Sequence, residues 1–199
     1  MTSILDRPLS SSASTGSAAH LPTRLRPADL LRITDQGAAD VLDGRYDHLL
    51  PAQWDTVNRW ATRLQADDDL DVWLISWTPN EHTELHDHAG SLGALTVLSG
   101  SLVEYRWNGA GLRRRTLDAG DQASFPLGWV HDVVANPDAV APTTISSSGP
   151  SARTVTAQAA PVSLSVHAYS PPLTAMSYYE VTPHRTLRRT RTTLTDQPE

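Results

Sequence analysis

The 199-residue chain has no cysteine. That excludes a disulfide framework, and it removes thiolates from any metal site the protein builds for itself. Soft sulfur at such a site would have to arrive with a substrate. An apolar run near the roughly 18 residues that a membrane span needs is also missing. The first twenty residues, MTSILDRPLSSSASTGSAAH, lack the continuous apolar core of a secretory signal. Basic residues are in the minority, 16 Lys plus Arg against 22 Asp plus Glu, for a formal charge of −6. Such a chain has no general attraction for nucleic acid or for anionic membrane. These absences lead to the expectation of a cytoplasmic protein that acts as a monomer. The basic stretch HRTLRRTRTT, residues 184–193, is a local exception. Its composition reads as part of a solvated, flexible tail over residues 183–199.

What is present suggests one domain over residues 23–182. Residues 1–22, rich in Ser, Ala and Thr, read as disordered, and residues 137–160 as a flexible loop punctuated by proline. A helix is expected from Pro27, carrying Leu30, Leu31 and Ile33, then Ala38, Val41 and Leu42, with Gly37 as a divide. Trp54, Val57, Ala61 and Leu64 fall at helical spacing, yet alternation takes over from about Arg59. The expectation there is a short helix, then a strand paired through Ala66-Asp67-Asp68-Asp69 with LDVWLISW (Leu70 to Trp77). Further strands are expected on either side of Ser99-Gly100-Ser101, one in LRRRTLDAGDQASF with a turn at Ala119-Gly120-Asp121, and one in PVSLSVHAYS (Pro161 to Ser170). Many short strands behind N-terminal helices make the chain mainly β, a sandwich or barrel.

The stretch TELHDHAGSLGALTVLSG, residues 83–100, holds His86 and His88. On a strand these two project to one face and Asp87 to the other. A lone His-x-His says little, since imidazoles also serve as ordinary hydrogen-bonding groups. Downstream, Gly120, Pro126, Gly128 and His131 follow at regular spacing. In the strand PVSLSVHAYS, the polar residues Ser165, His167 and Tyr169 alternate with apolar Leu164, Val166 and Ala168. The apolar row can pack on an outer layer while the polar row lines a cavity, or the polar row can face solvent on an edge strand.

This pattern resembles the paired motifs of the cupin superfamily. There are departures: Asn80 stands for the leading glycine, Asn136 falls one place late, and Gly93 stands where many cupins have a metal-binding glutamate. His-x-His with glycine at that position, a third histidine, and then Ser-x-His-x-Tyr-Ser-Pro-Pro resembles the cysteine dioxygenase type I family of thiol dioxygenases. The resemblance implies a cupin jelly-roll barrel. It also implies Fe(II) held by His86, His88 and His131, with Ser165, His167 and Tyr169 beside it, and a cis peptide at Ser170-Pro171. Arg63 matches the arginine that receives the substrate carboxylate, with Arg59 a neighbouring competitor. The implied reaction converts L-cysteine and O2 to cysteine sulfinic acid. Without cysteine, the Cys–Tyr crosslink of animal members cannot form, so Tyr169 acts as a plain phenol. Trp77, Trp129 and Met176 also fit the family pattern. Three alternatives stay open: a 3-mercaptopropionate dioxygenase that uses Gln65, a non-oxidative metal-binding cupin (isomerase or hydrolase), and a binding barrel without catalysis.

Overall fold

The structure, a computed structural model, describes residues 25–79, 81–139 and 162–198. The expected disorder of residues 1–22, most of the 137–160 loop and Asn80 lie outside them. One helix, α1 (Pro27–Leu42), opens the fold, followed by a single 3-10 turn at Asp47–Leu49. Pro27 begins α1, and Asp29 accepts hydrogen bonds from the backbone N–H and side chain of Arg26. Gly37 does not divide the helix. It is the point of closest approach to the sheet, since a Cβ there would lie 3.0 Å from the Val166 side chain.

Eleven strands follow among the described residues. They are β1 (Ala61–Ala66), β2 (Asp71–Trp77), β3 (His86–Asp87), β4 (Leu92–Ser99), β5 (Ser101–Trp107) and β6 (Leu112–Asp118), then β7 (Gln122–Phe125), β8 (His131–Ala135), β9 (Ser163–Ser170), β10 (Ala175–Val181) and β11 (Leu187–Leu194). They form two antiparallel sheets, ordered β1-β2-β9-β4-β7 and β11-β10-β3-β8-β5-β6. Within the described residues the sheets share no strand, so the architecture is a sandwich of two antiparallel sheets and not a closed barrel. Gly100, at φ 75°, turns the chain from β4 in one sheet to β5 in the other. A side chain there would collide with Ser163.

The alternation in β9 explains both layers of the core. Leu164, Val166 and Ala168 pack with Leu30, Ala38 and Val41 of α1 on the outside of the five-stranded sheet. Tyr169 faces inward, among Trp77, Leu95, Phe125, Val133, Met176 and Tyr178 between the sheets. Burying both faces makes β9 the central strand of its sheet.

Two expectations are corrected here. Residues 53–58 form no helix: Asp55 accepts hydrogen bonds from the backbone N–H groups of Val57 and Asn58, which closes a local turn instead. The basic stretch is not a loose tail, because Leu187–Leu194 pairs along β10 as an edge strand. Its β-branched threonines suit a strand. Two of its arginines find carboxylates, Arg188 with Glu180 at 2.8 Å and Arg191 with Glu84 at 3.0 Å. No helix among the described residues is long and apolar enough to cross a membrane.

Candidate metal centre

His86 on β3 pairs directly across the ladder with His131 on β8. His88 follows two residues on, before a turn in which Ala89 takes a positive φ of 49°. The ligand-capable nitrogens of His86, His88 and His131 all lie within 4.8 Å of one another, and all three residues are buried. Asp87 points away, as alternation requires, and accepts a 2.7 Å hydrogen bond from the Tyr179 hydroxyl. Glu84 is no ligand either. Its carboxylate pairs with Arg191, while its backbone carbonyl accepts from His86 Nδ1 at 2.9 Å.

That last bond fixes a tautomer. Because a carbonyl can only accept, His86 carries its proton on Nδ1 and turns a bare Nε2 toward His88 Nε2, 3.3 Å away. His131 is held the same way. Its Nδ1 donates to Glu104 Oε1 at 3.2 Å, and its Nε2 is buried without a hydrogen-bond partner. Burial, reinforced by the neighbouring imidazoles, pushes His86 and His88 well below the ordinary histidine pKa. Three imidazoles whose ligand-capable nitrogens converge in a buried site are what a divalent cation requires. An orphaned buried nitrogen is costly unless something binds it. The residues present therefore fit a metal.

The position occupied by glutamate in many cupins is closed. A Cβ built on Gly93 would lie 3.0 Å from the Phe125 ring, 3.3 Å from His88 Nδ1 and 3.3 Å from Tyr169 Cε1. The two aromatic rings crowd the first atom of any side chain placed there.

The β9 residues stand beside the histidines. Tyr169 packs against His88 with ring centroids 4.9 Å apart. Its hydroxyl lies 3.1 Å from His167 Nδ1, and His167 Nε2 lies 2.9 Å from Ser165 Oγ. Trp77 Nε1 donates to that same Oγ at 2.7 Å, closing the chain from the opposite end. Burial raises the Tyr169 pKa and holds His167 well below its ordinary value. The phenol therefore stays protonated and the imidazole neutral. Trp77, Thr83, His86, His88, His131, Val133, His167 and Tyr169 line one small cavity.

The two arginines lie differently. Arg63 sits over the Trp73 ring at 4.5 Å and donates to the Asp196 carbonyl at 2.8 Å, with its side chain 37% exposed. It does not line the cavity. Arg59 lies 4.1 Å over the ring of Trp77, a cavity-wall residue. Its charge is felt at His86, His167 and Tyr169. Gln65 is exposed, at an irregularity in β1 between Arg63 and Gln65. Trp77 and Met176 are core residues, and Trp129 packs on that core with Arg106 over its ring at 4.2 Å. The Ser170-Pro171 peptide is cis.

Sequence reasoning missed Glu104 and its partner Arg115, whose Nε donates to Glu104 Oε2. Nothing in the local pattern of SLVEYRW marks a buried acid; only the pairing of β5 with β6 and β8 does.

The family model for cysteine dioxygenase type I matches residues 46–126. This span covers under half of the chain. It includes His86 and His88 and ends before His131 and Tyr169. No protein of curated function matches the chain. Among solved structures, KdgF from a Halomonas species is 17% identical with a TM-score of 0.41, over 60% of this chain and 87% of its own. A double-stranded β-helix protein from Klebsiella pneumoniae is 17% identical at 0.42, over 73% and 85%. A cupin superfamily protein from Desulfitobacterium hafniense is 11% identical at 0.40, over 63% and 85%. The chain is thus similar to cysteine dioxygenase type I through residues 46–126, on a mainly β scaffold of two antiparallel sheets.

Proposed function

We propose that the protein is an iron-dependent thiol dioxygenase that converts L-cysteine and O2 to cysteine sulfinic acid. The observation that carries this reading is the buried, carboxylate-free set of His86, His88 and His131 standing directly against a Tyr169–His167–Ser165 chain. Three neutral ligands leave a divalent ion its full charge, which suits a substrate that brings its own anionic sulfur. Iron(II) held there would supply the one-electron chemistry that lets O2 react with a thiolate. The overall reaction balances without a further reductant. Both oxygen atoms become bonded to sulfur, sulfur gives up four electrons, O2 gains four, and the thiol proton is released.

The protein's own part is binding and proton placement. Tyr169 keeps its proton at the hydroxyl and is a hydrogen-bond donor for a substrate beside His88. His167 positions that hydroxyl, and Ser165, tied to Trp77, positions His167. Val133 and Trp77 help wall off water. The carboxylate of an amino-acid thiol needs a cation. Arg63 was expected to supply it, but the place of Arg59 over Trp77, whose side chain lines the cavity, supports Arg59 in that role, through a planar fork matched to a carboxylate. The same placement favours a carboxylated thiol over a neutral one, and gives no support to Gln65 as a substrate contact.

The test is O2 consumption by iron-loaded protein offered L-cysteine, 3-mercaptopropionate and cysteamine in turn. Fastest uptake with cysteine is expected. Preference for 3-mercaptopropionate would reassign the substrate, and no uptake with any thiol would overturn the proposal.

A further inference from the structure

The six-stranded sheet contains a carboxylate that the reading above does not use. Glu104 stands on β5, opposite Arg115 on β6 and Val133 on β8. Val133 and His131 are two apart on β8 and point to the same face, so Glu104 reaches His131 across the ladder. The Glu104 side chain is wholly buried, whereas the Arg115 side chain is 42% exposed. One carboxylate oxygen accepts from His131 Nδ1 and the other from Arg115 Nε. A buried acid is expensive unless both oxygens are answered, and here both are. The arrangement runs as a line from the edge of the sheet through Arg115 and Glu104 to His131, ending at the unpartnered Nε2 in the cavity.

We propose that Glu104, anchored by Arg115, is a positioning residue for the metal centre: it locks His131 in the tautomer with Nε2 free and strengthens that nitrogen as a donor. The carboxylate missing at Gly93 is thereby replaced one layer out, behind a ligand instead of on the metal. This explains how a site with only neutral first ligands retains a divalent ion. Of the two tautomer locks, only His131's is ionic, because His86 donates to a neutral carbonyl. Carboxylate partners of this kind typically alter metal affinity or activity about 10- to 100-fold.

The inference rests on the three-histidine reading but not on the substrate. Its test therefore measures metal binding. The full-length chain is stripped of metal and titrated with Co(II) alone against a competing chelator, following the visible spectrum of the bound ion. Glu104→Gln should weaken Co(II) roughly 10- to 100-fold and alter its spectrum. Arg115→Gln, which leaves the His131–Glu104 bond in place, should weaken Co(II) much less. Equal losses in both variants, tracking their thermal midpoints without metal, would mean a merely structural ion pair and would overturn the proposal. Affinity within twofold of wild type in Glu104→Gln would do the same. Should Glu104→Gln fail to fold, nitrogen NMR of His131 in the metal-free wild type decides. The Nδ1–H tautomer supports the lock, and the Nε2–H tautomer overturns it. Tight Co(II) binding without thiol-dependent O2 uptake would sink the dioxygenase reading and leave this inference standing.

Discussion

Gly93 and Tyr169 are direct cross-strand partners on β4 and β9, and a single added Cβ at residue 93 would approach Tyr169 Cε1 to 3.3 Å and the Phe125 ring to 3.0 Å. An added side chain there would make the Tyr169 and Phe125 rings give by a few tenths of an ångström. Restoring a glutamate at this position should not build a fourth ligand. Gly93→Glu should cost about 1–3 kcal/mol through overpacking and displace Tyr169 or Phe125. Denaturant unfolding with metal counting checks this. Full stability with a changed ligand set would show that the space exists after all.

Tyr169→Phe removes one hydroxyl and keeps the ring that packs on His88. Iron should stay bound at wild-type stoichiometry while turnover falls. Ser165→Ala should give a smaller loss, on the order of tenfold, because Trp77 loses its acceptor and His167 one of its two partners. Metal content and steady-state rates separate the two effects. Loss of iron from Tyr169→Phe would make the phenol a ligand or a structural support.

Arg59→Leu should depress turnover of L-cysteine far more than that of cysteamine, which has no carboxylate. A charge-assisted hydrogen bond is worth about 1.5–3 kcal/mol, or roughly ten- to a hundredfold in the ratio. Arg63→Leu should leave the ratio nearly unchanged, since Arg63 lies over Trp73 and bonds the Asp196 carbonyl. The reverse outcome would restore Arg63 as the carboxylate contact.

The difference between the two arginines shows where sequence reading stops. Alternation within one strand placed Ser165, His167 and Tyr169 on one face, and it placed Asp87 away from its flanking histidines. The helix from Pro27 was legible from its first turn and apolar spacing. What alternation cannot supply is which strand lies beside which. Glu104 meets His131 only because β5 pairs with β8, and Trp77 meets Ser165 through a side chain 88 positions away in sequence. Arg59 and Arg63 are four residues apart, yet they cover different rings: Arg59 that of Trp77, which lines the cavity, and Arg63 that of Trp73, which does not. At residues 53–58, helical spacing was overridden by the capping carboxylate of Asp55. In the basic stretch, charge masked a strand two of whose arginines, Arg188 and Arg191, are matched by Glu180 and Glu84.

Asp71 offers a test of the scaffold through pH. It is buried, it accepts a 3.0 Å hydrogen bond from Trp73 Nε1, and burial raises its pKa. A carboxyl whose folded pKa is raised binds its proton more tightly in the folded state. Its contribution to stability is present at low pH and fades as pH rises from the ordinary carboxylate range through the raised value. Asp71→Asn keeps an acceptor for Trp73 and removes the titration. Subtracting its thermal stability from that of wild type across this interval should leave a difference that falls with rising pH. A flat difference would mean that Asp71 ionises as it does in the unfolded chain.

The central claim is that both atoms of one O2 molecule end on the sulfur of a thiol. The most direct measurement is mass spectrometry of the product formed by iron-loaded protein from L-cysteine under isotopically heavy oxygen gas. Dioxygenase chemistry at His86, His88 and His131 predicts cysteine sulfinic acid carrying two heavy oxygen atoms. Unlabelled or singly labelled product, or cystine alone, would contradict it.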